Sequence, residues 1–261
     1  MGGGLPFDAA TSRRIEALYR SPDAIRRRSL VLQLLQPRSG ERILDIGCGP
    51  GFLASELGAA VGPAGAVQAL DSSEAMVELA RARCAAQPWV TIQPGDAERL
   101  ELPAGELDAV VSVQVHEYVT DAAGSLAAAF RALRPGGRIL VVATDWDSIV
   151  WAASDPERMR RVLSAFDEHL AHPHLPRQLG PLLSRLGFAL RRCEVLVQLN
   201  DVLDANTFSH GLLDLVHRFI PGRRGVTGAE ADAWAEDLRE LGRRGEYFFS
   251  LNQYLFLASK P

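Results

Sequence analysis

The chain alternates between short runs of aliphatic and β-branched residues and segments whose apolar residues recur at helical spacing. The short runs predict seven strands, at residues 43–46, 66–70, 89–93, 107–113, 138–143, 188–199 and 247–257. The run at 107–113 is almost continuously apolar, which is typical of a central parallel strand. Helical segments separate the first five strands, so the pattern predicts an open α/β sheet.

The N-terminal helical pattern spans residues 11–36 and breaks at 21–23, where a Ser-Pro pair suits the start of a second helix. Its buried face is expected to include Ile25, and the three arginines at 26–28 are expected on a solvated face. Further helices are predicted at 52–60, in a segment opened by Ser72-Ser73-Glu74, and at 126–133, 156–170, 177–186, 207–219 and 227–241.

These elements predict one compact domain with insertions. A helical cap of residues 1–36 precedes the core. The segments 149–176 and 201–245 are too long for structureless loops, so we expect them to form helical lids. The core itself is predicted to comprise residues 37–148, 177–200 and, as an antiparallel last strand, 246–261.

A glycine-rich turn follows the first strand, with Gly47, Gly49 and Gly51 at alternate positions. Glycine permits positive φ angles and lets the backbone approach a ligand closely. The free N–H groups of the next helix face this turn, which predicts a cofactor site there. The carboxylate of Asp45 would repel a polyphosphate but attract an ammonium group, and the spacing differs from the Gly-x-Gly-x-x-Gly of dinucleotide sites.

Residues 44–51, Leu-Asp-Ile-Gly-Cys-Gly-Pro-Gly, resemble motif I of the class I S-adenosylmethionine-dependent methyltransferases. Residues 133–137, Leu-Arg-Pro-Gly-Gly, resemble a second hallmark of that family. The resemblance covers 40–145 strongly and 177–199 and 246–260 weakly. It implies a Rossmann-like, mostly parallel seven-stranded sheet with helices on both faces and an antiparallel last strand. It also implies S-adenosylmethionine as cofactor and a small-molecule enzyme of the ubiquinone, menaquinone or specialised-metabolite type.

Asp71 ends the second strand about 20 residues after the glycines, and its two oxygens suit the two hydroxyls of a ribose. NAD-binding folds use the same arrangement, so Asp71 alone does not select the cofactor. The resemblance implies that Asp96 accepts from the adenine amine while the N–H of Ala97 contacts the ring. It assigns four more residues to the cofactor: Tyr19, Ser72, Met76 and Gln114. A helix cap is the alternative for Ser72, and core packing is the alternative for Tyr19 and Met76.

The fourth strand leads into residues 114–119, at the edge where an open α/β sheet places its chemistry. Here the family often shows Asn-x-Leu-Glu-His-Val, and this chain departs from it with Gln-Val-His-Glu-Tyr-Val. His116 is the candidate general base, because its reference pKa lies near 6.5 and we expect it to face the methyl group. A histidine packed under the lid is the alternative. Tyr118 and Asp145 are the other candidate catalytic residues.

Trp146, after the fifth strand, is a candidate substrate contact, together with residues of the second insertion and its end: Asn206, His210, Arg218 and Tyr247. The insertions are rich in Leu, Phe, Trp and Arg, which favours a closed pocket for a small, partly aromatic or apolar metabolite. The predicted reaction is in-line methyl transfer to a C, N or O acceptor, in which alignment supplies most of the acceleration.

Three other functions remain open. A relative of the same fold can bind S-adenosylmethionine and catalyse a reaction such as cyclisation. An NAD-dependent oxidoreductase is a second alternative, although Asp45 and the glycine spacing disfavour it. The third is a regulatory subunit without activity.

Charge and composition limit the binding partners and the cellular location that we expect. A net charge of −4 over 261 residues disfavours a nucleic-acid partner. No apolar run approaches the roughly 20 residues of a membrane span, and the N-terminus lacks the features of a signal peptide, so we expect a cytoplasmic protein. The widely separated Cys48, Cys84 and Cys193 show no metal or disulfide spacing, and no metal is expected. A monomer or homodimer is expected.

Overall fold

The computed structural model describes residue 16 and residues 18–261. One sheet contains seven strands: β1 (Arg42–Ile46), β2 (Ala66–Asp71), β3 (Val90–Pro94), β4 (Leu107–Val113), β5 (Leu133–Trp151), β6 (Ala189–Asn200) and β7 (Phe249–Ser259). The strand order is β3-β2-β1-β4-β5-β7-β6, with β7 antiparallel to both of its neighbours and the first five strands parallel. The predicted fold class, including the antiparallel last strand, is confirmed.

Helices flank the sheet and fill the two insertions. They are α1 (Pro22–Leu35), α2 (Phe52–Val61), α3 (Glu74–Cys84), α4 (Ala122–Ala132), α5 (Pro156–Phe166), α6 (Pro176–Arg185), α7 (Phe208–Phe219) and α8 (Gly228–Arg243). A short 3-10 helix, Asp167–His169, follows α5. Residues 1–15 and 17 of the predicted N-terminal cap lie outside the described residues. Among the helices that the structure describes, none is both long and apolar enough to cross a membrane.

Capping side chains fix where several helices begin. The Ser21 hydroxyl accepts from the N–H of Ala24 at 3.2 Å, and Pro22 takes the first helical position. Thr207 and Thr227 cap α7 and α8 in the same way, each accepting from an N–H three residues further on. These caps satisfy N–H groups that a helix leaves free at its start.

Strand β5 is longer than the sequence predicts. It extends over Leu133–Trp151 instead of 138–143. Leu133 pairs with Leu107 of β4, and β7 pairs with β5 in two stretches, with a register shift between Asp145 and Val150. Asp145 is the last paired residue before this shift, and the N–H of Trp146 instead donates to the carbonyl of Pro173 at 3.1 Å.

Helix α1 buries a different face from the predicted one. Ile25 is 48% exposed, whereas Arg27 and Arg28 are 3% and 7% exposed. These arginines lie three and four positions after the buried Ala24, so they share its side of the helix. The predicted solvated face is correct for Arg26 and wrong for its two neighbours.

Hydrophobic cores cover both faces of the sheet, and a third core lies within the insertions. One face packs against α1, α2 and α3, and the other packs against α4 and α6. The third core joins α5, α7 and α8 to the end of β5 and the start of β7, and it contains Phe166, Trp234 and Phe249. The two insertions thus pack together at the edge of the sheet where the parallel strands end.

Candidate active site

The glycine turn after β1 is closely packed. Gly47, Gly49 and Gly51 have φ angles of 69°, 53° and 79°, in a region that favours glycine. A Cβ on Gly51 would lie 2.7 Å from the Cα of Ala80 in α3, and a Cβ on Gly47 would lie 2.3 Å from a methyl group of Val115. The turn therefore requires glycine both for its backbone angles and for its packing.

Asp71, at the end of β2, holds this turn through its carboxylate. Its Oδ2 accepts from the N–H of Gly49 at 2.8 Å, and its Oδ1 accepts from the N–H of Ser73 at 2.9 Å. Burial raises the pKa of Asp71, and these backbone hydrogen bonds oppose that rise. Because a carboxylate offers about four lone-pair positions, each oxygen keeps room for one more donor, as two ribose hydroxyls would supply.

A cavity of about 290 Å³ opens over the turn, at the edge where the parallel strands end. The predicted site residues that line it are Tyr19, Gly47, Gly49, Asp71, Ser72, Met76, Asp96, Ala97, Gln114, Tyr118 and Trp146. They are far apart in sequence, and the fold brings them to one edge, as an open α/β sheet does for its ligand. Gly51 lies beneath the turn against α3, outside this lining.

One end of the cavity is polar. Asp96 is exposed there, and its Oδ1 accepts from a backbone N–H two residues further on. Ala97 and Met76 are buried in the wall. The side chain that caps α3 is Ser73, which accepts from the N–H of Met76. Ser72 is exposed at the cavity, so the alternative of a helix cap for Ser72 is wrong.

A second cavity of about 20 Å³ adjoins the turn, and Asp45, Arg27 and Tyr19 lie around it. This volume holds about one water-sized group. Asp45 is 1% exposed, and its Oδ2 has no hydrogen-bond partner among the described residues. Burial and the nearby charge of Asp71 raise the pKa of Asp45 to about 7. An ammonium group placed here would satisfy Oδ2 and favour the ionised carboxylate.

Arg27 is a buried cation beside the same space. Its Nη1 donates to the Oε1 of Gln114, and its guanidinium lies 5.8 Å from the centroid of the Tyr19 ring. Within residues 16 and 18–261, its Nε has no hydrogen-bond partner. A buried guanidinium with a free donor suits a carboxylate. In the sequence, the signal for a buried Arg27 is its position on the apolar face of α1. The run of three arginines obscures that signal.

Tyr19 covers the glycine turn from the helical segment before α1. A Cβ on Gly49 would lie 3.2 Å from the Tyr19 hydroxyl. The Tyr19 ring stacks on Phe52 with centroids 6.3 Å apart, and its backbone carbonyl accepts from Arg28 at 2.6 Å. The Tyr19 hydroxyl is thus held next to the backbone that a bound cofactor would contact.

Gln114 lies where β4 ends, and it has a φ angle of 54°, which is unusual for a residue with a side chain. Its amide oxygen accepts from Arg27, and its amide nitrogen donates to the Thr144 hydroxyl oxygen at 2.9 Å. Both ends of the amide are therefore engaged by the protein. Although Gln114 lines the cavity, its amide group serves to hold Arg27 and Thr144 in place.

His116 lies in the core, outside the cavity. It is fully buried, with its Nδ1 3.0 Å from the Ser112 hydroxyl and its Nε2 3.2 Å from the Ser125 hydroxyl. Burial lowers the pKa of His116 to about 4. The expected position facing the methyl group is thereby corrected: the chain turns at Gln114 and directs this imidazole between β4 and α4.

Asp145 belongs to an ion-pair cluster away from the cavity. Both of its oxygens accept from Arg177 at 3.0 Å, and Arg177 also donates to Asp147 at 2.9 Å. Asp145, Asp147 and His174 have the spacing of metal ligands, but the guanidinium occupies the two carboxylates. Asp145 is thus removed from the place expected for a catalytic residue, whereas Tyr118 lines the cavity and is 37% exposed.

Trp146 is the predicted substrate contact that the fold brings to the cavity. The others lie outside the cavity lining: Asn206, His210, Arg218 and Tyr247. Asn206 and Arg218 are exposed, and His210 is half-buried near the start of α7. Tyr247 is buried in the third core, where its hydroxyl accepts from Trp151 at 3.1 Å. The prediction placed these four side chains at the substrate. The structure corrects that position, because they face solvent or the interior of the lid.

Apolar residues that the sequence analysis missed also line the cavity: Leu18, Val115, Val119, Phe208, Leu212 and Leu215. Those of α7 form the end beneath the lid, whereas Val115 packs against Gly47 of the glycine turn. Three of them repeat along one face of α7 at helical spacing. That repeat is visible in the sequence, but it looks the same whether the helix faces a core or a ligand.

Comparison with known proteins agrees with this geometry. A family model described as a methyltransferase domain matches residues 43–137. Aklanonic acid methyltransferase DauC from Streptomyces sp. strain C5 is 31% identical over 172 residues, which cover 64% of this chain and 76% of DauC. This chain belongs to the class I S-adenosylmethionine-dependent methyltransferases.

Further relatives and a solved structure are also similar to this methyltransferase. An uncharacterised 37.1 kDa protein of transposon TN4556 from Streptomyces fradiae is 38% identical over 191 residues, 72% of this chain and 55% of that protein. The chain covers 42% and 48% of two further curated relatives, so it spans about half the length of several relatives it matches. Phosphoethanolamine N-methyltransferase 2 of Haemonchus contortus, solved with S-adenosylmethionine, has a TM-score of 0.64 at 20% identity, covering 98% of this chain and 58% of that one. It shares the fold.

The cofactor of this family is S-adenosylmethionine, and the residues around the glycine turn fit it. On one side of the turn, Asp71 keeps an acceptor position on each oxygen for a ribose. On the other side, the unpartnered Asp45 oxygen and Arg27 Nε, taken over the described residues, match the ammonium and carboxylate of an amino acid. A side chain at Gly47 or Gly51 would collide with the packing that shapes this cradle.

Proposed function

We propose that this chain transfers the methyl group of S-adenosylmethionine to a C, N or O atom of a small, apolar, partly aromatic metabolite. The supporting observation is that a single cavity joins a polar end beside the glycine turn to an apolar end beneath the lid. The polar end suits the cofactor, and the apolar end, with Trp146, Phe208 and Leu212, suits the acceptor.

In this proposal each part of the cofactor has a protein partner. Asp96 and the N–H of Ala97 contact the adenine, and Met76 packs against it. Asp71 accepts from the ribose hydroxyls through the free lone pairs of the two oxygens that bind backbone N–H groups. The ring of Tyr19 covers the glycine turn and closes the site over the sulfur.

The amino-acid end is proposed to bind between Asp45 and Arg27, where the small cavity adjoins the large one. Tyr19, Gly47 and Val113 line both cavities. Both side chains are buried, and each presents an atom without a hydrogen-bond partner in the described part of the chain. An ammonium at Asp45 and a carboxylate at Arg27 would complete both groups. Since an unsatisfied buried polar group costs about 1–3 kcal/mol, hydrogen bonds from Asp45 and Arg27 to the amino-acid end favour its binding.

The acceptor end is neutral. Among the described residues that line the cavity, none has a cationic side chain, and the acidic ones lie at the cofactor end. A phosphate or carboxylate buried against Leu212, Leu215 and Phe208 would lose its hydration without a counter-charge. The buried part of the acceptor is therefore proposed to be uncharged, with the Tyr118 hydroxyl as its polar contact.

When bound, S-adenosylmethionine supplies an electrophilic methyl group on a sulfonium. This chain aligns the acceptor with that methyl through the lid residues and Trp146, and it excludes water from the apolar end. His116 is sealed between two serines and takes no part in this scheme. The nucleophilic atom of the acceptor is proposed to attack in its neutral form and to lose its proton to solvent after the methyl transfer, and the Tyr118 hydroxyl orients it.

The relative named aklanonic acid methyltransferase supports an acceptor from specialised metabolism, and we extend this class of acceptor to the present chain. We propose a small molecule as the substrate and not a nucleic acid, since the acceptor end of the cavity is apolar and the described residues that line the cavity include no cationic side chain.

Radiolabelled methyl transfer tests this function. Pooled apolar metabolites are incubated with the protein and methyl-labelled S-adenosylmethionine, and labelled products are separated and identified. We expect label in an apolar product, lost in Leu212→Asp and retained in Asp232→Ala, an exposed change on the neighbouring helix α8. An acceptor that is consumed without gaining label would contradict methyl transfer and favour cyclisation.

A further inference from the structure

A continuous chain of polar side chains runs from the proposed amino-acid pocket into the sheet. Arg27 donates to Gln114, and Gln114 donates to the Thr144 hydroxyl oxygen at 2.9 Å. Gln253 donates to the same oxygen at 3.4 Å, and Gln198 donates to Gln253 at 2.9 Å. Thr144 and Gln253 are fully buried. The chain thus connects α1 to β5, β7 and the edge strand β6.

Chemistry fixes the direction of the first hydrogen bonds. A guanidinium can only donate, so Gln114 turns its amide oxygen to Arg27 and its NH₂ group to Thr144. Thr144 therefore accepts at its hydroxyl oxygen. Glu117 Oε1 accepts from the Thr144 backbone N–H at 3.3 Å, and Glu117 Oε2 has no hydrogen-bond partner among the described residues. Each of these bonds points from Arg27 towards the carboxylate.

Arg27 and Glu117 are thereby paired through bridging side chains. Glu117 is fully buried, and Arg27 is 3% exposed. A buried charge requires compensation, and hydrogen bonds between polar groups strengthen one another in a low-dielectric interior. The bridge supplies that compensation while leaving the Nε of Arg27 free of any partner in the described chain.

We infer that Thr144, Gln253 and Glu117 are positioning residues for cofactor binding, which hold the Gln114 amide and through it aim the Arg27 guanidinium at the cofactor carboxylate. This inference rests on the proposed function, in which Arg27 binds that carboxylate. The three residues lie outside the lining of both cavities, so their effect passes through Arg27.

Titration calorimetry with two ligands tests this inference. S-adenosylhomocysteine carries the amino-acid end, and 5′-methylthioadenosine shares the adenosine and thioether but lacks it. We expect Thr144→Val to weaken S-adenosylhomocysteine about tenfold, the value of one buried hydrogen bond, and to change methylthioadenosine less than about twofold. Thr144→Ser keeps the hydroxyl and should restore the affinity of the wild type.

Arg27→Ala measures the largest loss of S-adenosylhomocysteine affinity that loss of this positioning can cause. Because Thr144 acts through Arg27, the double variant should bind S-adenosylhomocysteine no more weakly than Arg27→Ala alone. Gln253→Met, which keeps the length of the side chain and removes the amide, provides a second variant if Thr144→Val does not fold. It should show the same selective loss at a smaller size.

The possible outcomes distinguish failure of the positioning role from failure of the proposed function. Equal weakening of both ligands in Thr144→Val, or unchanged binding of S-adenosylhomocysteine in the folded variant, overturns the positioning role alone. Failure of the wild-type protein to bind S-adenosylhomocysteine overturns the proposed function and the positioning role together.

Discussion

The Asp71 carboxylate accepts a 2.8 Å hydrogen bond from the backbone N–H of Gly49. This contact joins the end of β2 to the centre of the glycine turn, so the residue proposed to bind ribose also shapes the loop proposed to carry the cofactor. The same carboxylate accepts from Ser73 at the start of α3. Three segments that bound the cofactor site are therefore organised by one side chain before any ligand arrives.

Replacing Asp71 should therefore weaken cofactor binding in two ways. Asp71→Asn keeps the shape of the side chain but loses the charge, and Asp71→Ala also loses the support of the turn. Two hydrogen bonds to a charged acceptor predict a loss of about 100-fold or more in S-adenosylhomocysteine affinity for Asp71→Ala. Calorimetry measures it, and affinities within about threefold of the wild type would contradict the assignment.

The glycine turn gives a prediction with a matched control. Gly51 and Gly245 both have positive φ angles, of 79° and 70°, but a Cβ on Gly51 would meet Ala80 at 2.7 Å while a Cβ on Gly245 would meet nothing within 4 Å. Gly245→Ala should cost only the backbone strain, roughly 1–2 kcal/mol. Gly51→Ala should cost more and also weaken cofactor binding. Equal unfolding free energies for the two variants would contradict the packing argument.

Cofactor affinity should depend on pH through Asp45, whose pKa is raised to about 7 by burial and by the charge of Asp71. An ammonium ligand prefers the ionised carboxylate, so S-adenosylhomocysteine should bind more weakly as the pH falls below 7, by up to about tenfold per pH unit. Glu117 also has its pKa raised to about 7 by burial, so a variant is needed to separate the two groups.

Asp45→Asn provides that separation. Its affinity should be low and nearly independent of pH, and methylthioadenosine should show a flat profile in both proteins because it has no ammonium group. A pH dependence that persists in Asp45→Asn would assign the titration to another group.

His116 is predicted to stabilise the fold and to leave the chemistry unchanged. His116→Ala removes a fully buried ring and leaves the Ser112 and Ser125 hydroxyls unpaired, which should cost roughly 2–4 kcal/mol in the free energy of unfolding. The half-buried His210→Ala should cost under about 0.5 kcal/mol. Turnover per folded molecule should stay near the wild-type value, and a loss of 100-fold or more, the size expected of a general base, would restore His116 to the mechanism.

The pKa of His116 also sets a window for stability. Burial lowers it to about 4 from a reference near 6.5, so the folded state favours the neutral ring. The contribution is fully present above pH 6.5 and is lost as the pH falls towards 4. The difference in unfolding free energy between the wild type and His116→Ala should therefore shrink over that range, and denaturant titrations at several pH values measure it.

Much of the fold follows from the sequence because local patterns decide it. The aliphatic runs and their spacing predict the seven strands, and the Ser-Pro pair at 21–22 marks the start of α1. The C-terminal end of strand β5 is underpredicted because its extra length depends on β7, a partner 100 residues away in the register Val150–Ser250. Pairing of that kind leaves no mark in the local sequence.

The candidate site likewise contains some residues that local sequence predicts and others that only tertiary packing places. Asp71, Asp96 and the glycines lie where a motif and a strand end place them. His116 does not, because the positive φ of Gln114 redirects the chain immediately before it, and neither apolar alternation nor a family pattern predicts such a bend. Arg27 and the apolar lid residues depend on which helix face is buried, and tertiary packing decides that.

The most direct test of the account is a calorimetric titration of the wild-type protein with S-adenosylhomocysteine, with NAD as the control ligand. The account predicts saturable one-site binding of S-adenosylhomocysteine and no binding of NAD. Binding of NAD, or no binding of S-adenosylhomocysteine by a folded sample, would contradict the assignment of the glycine turn and the residues around it.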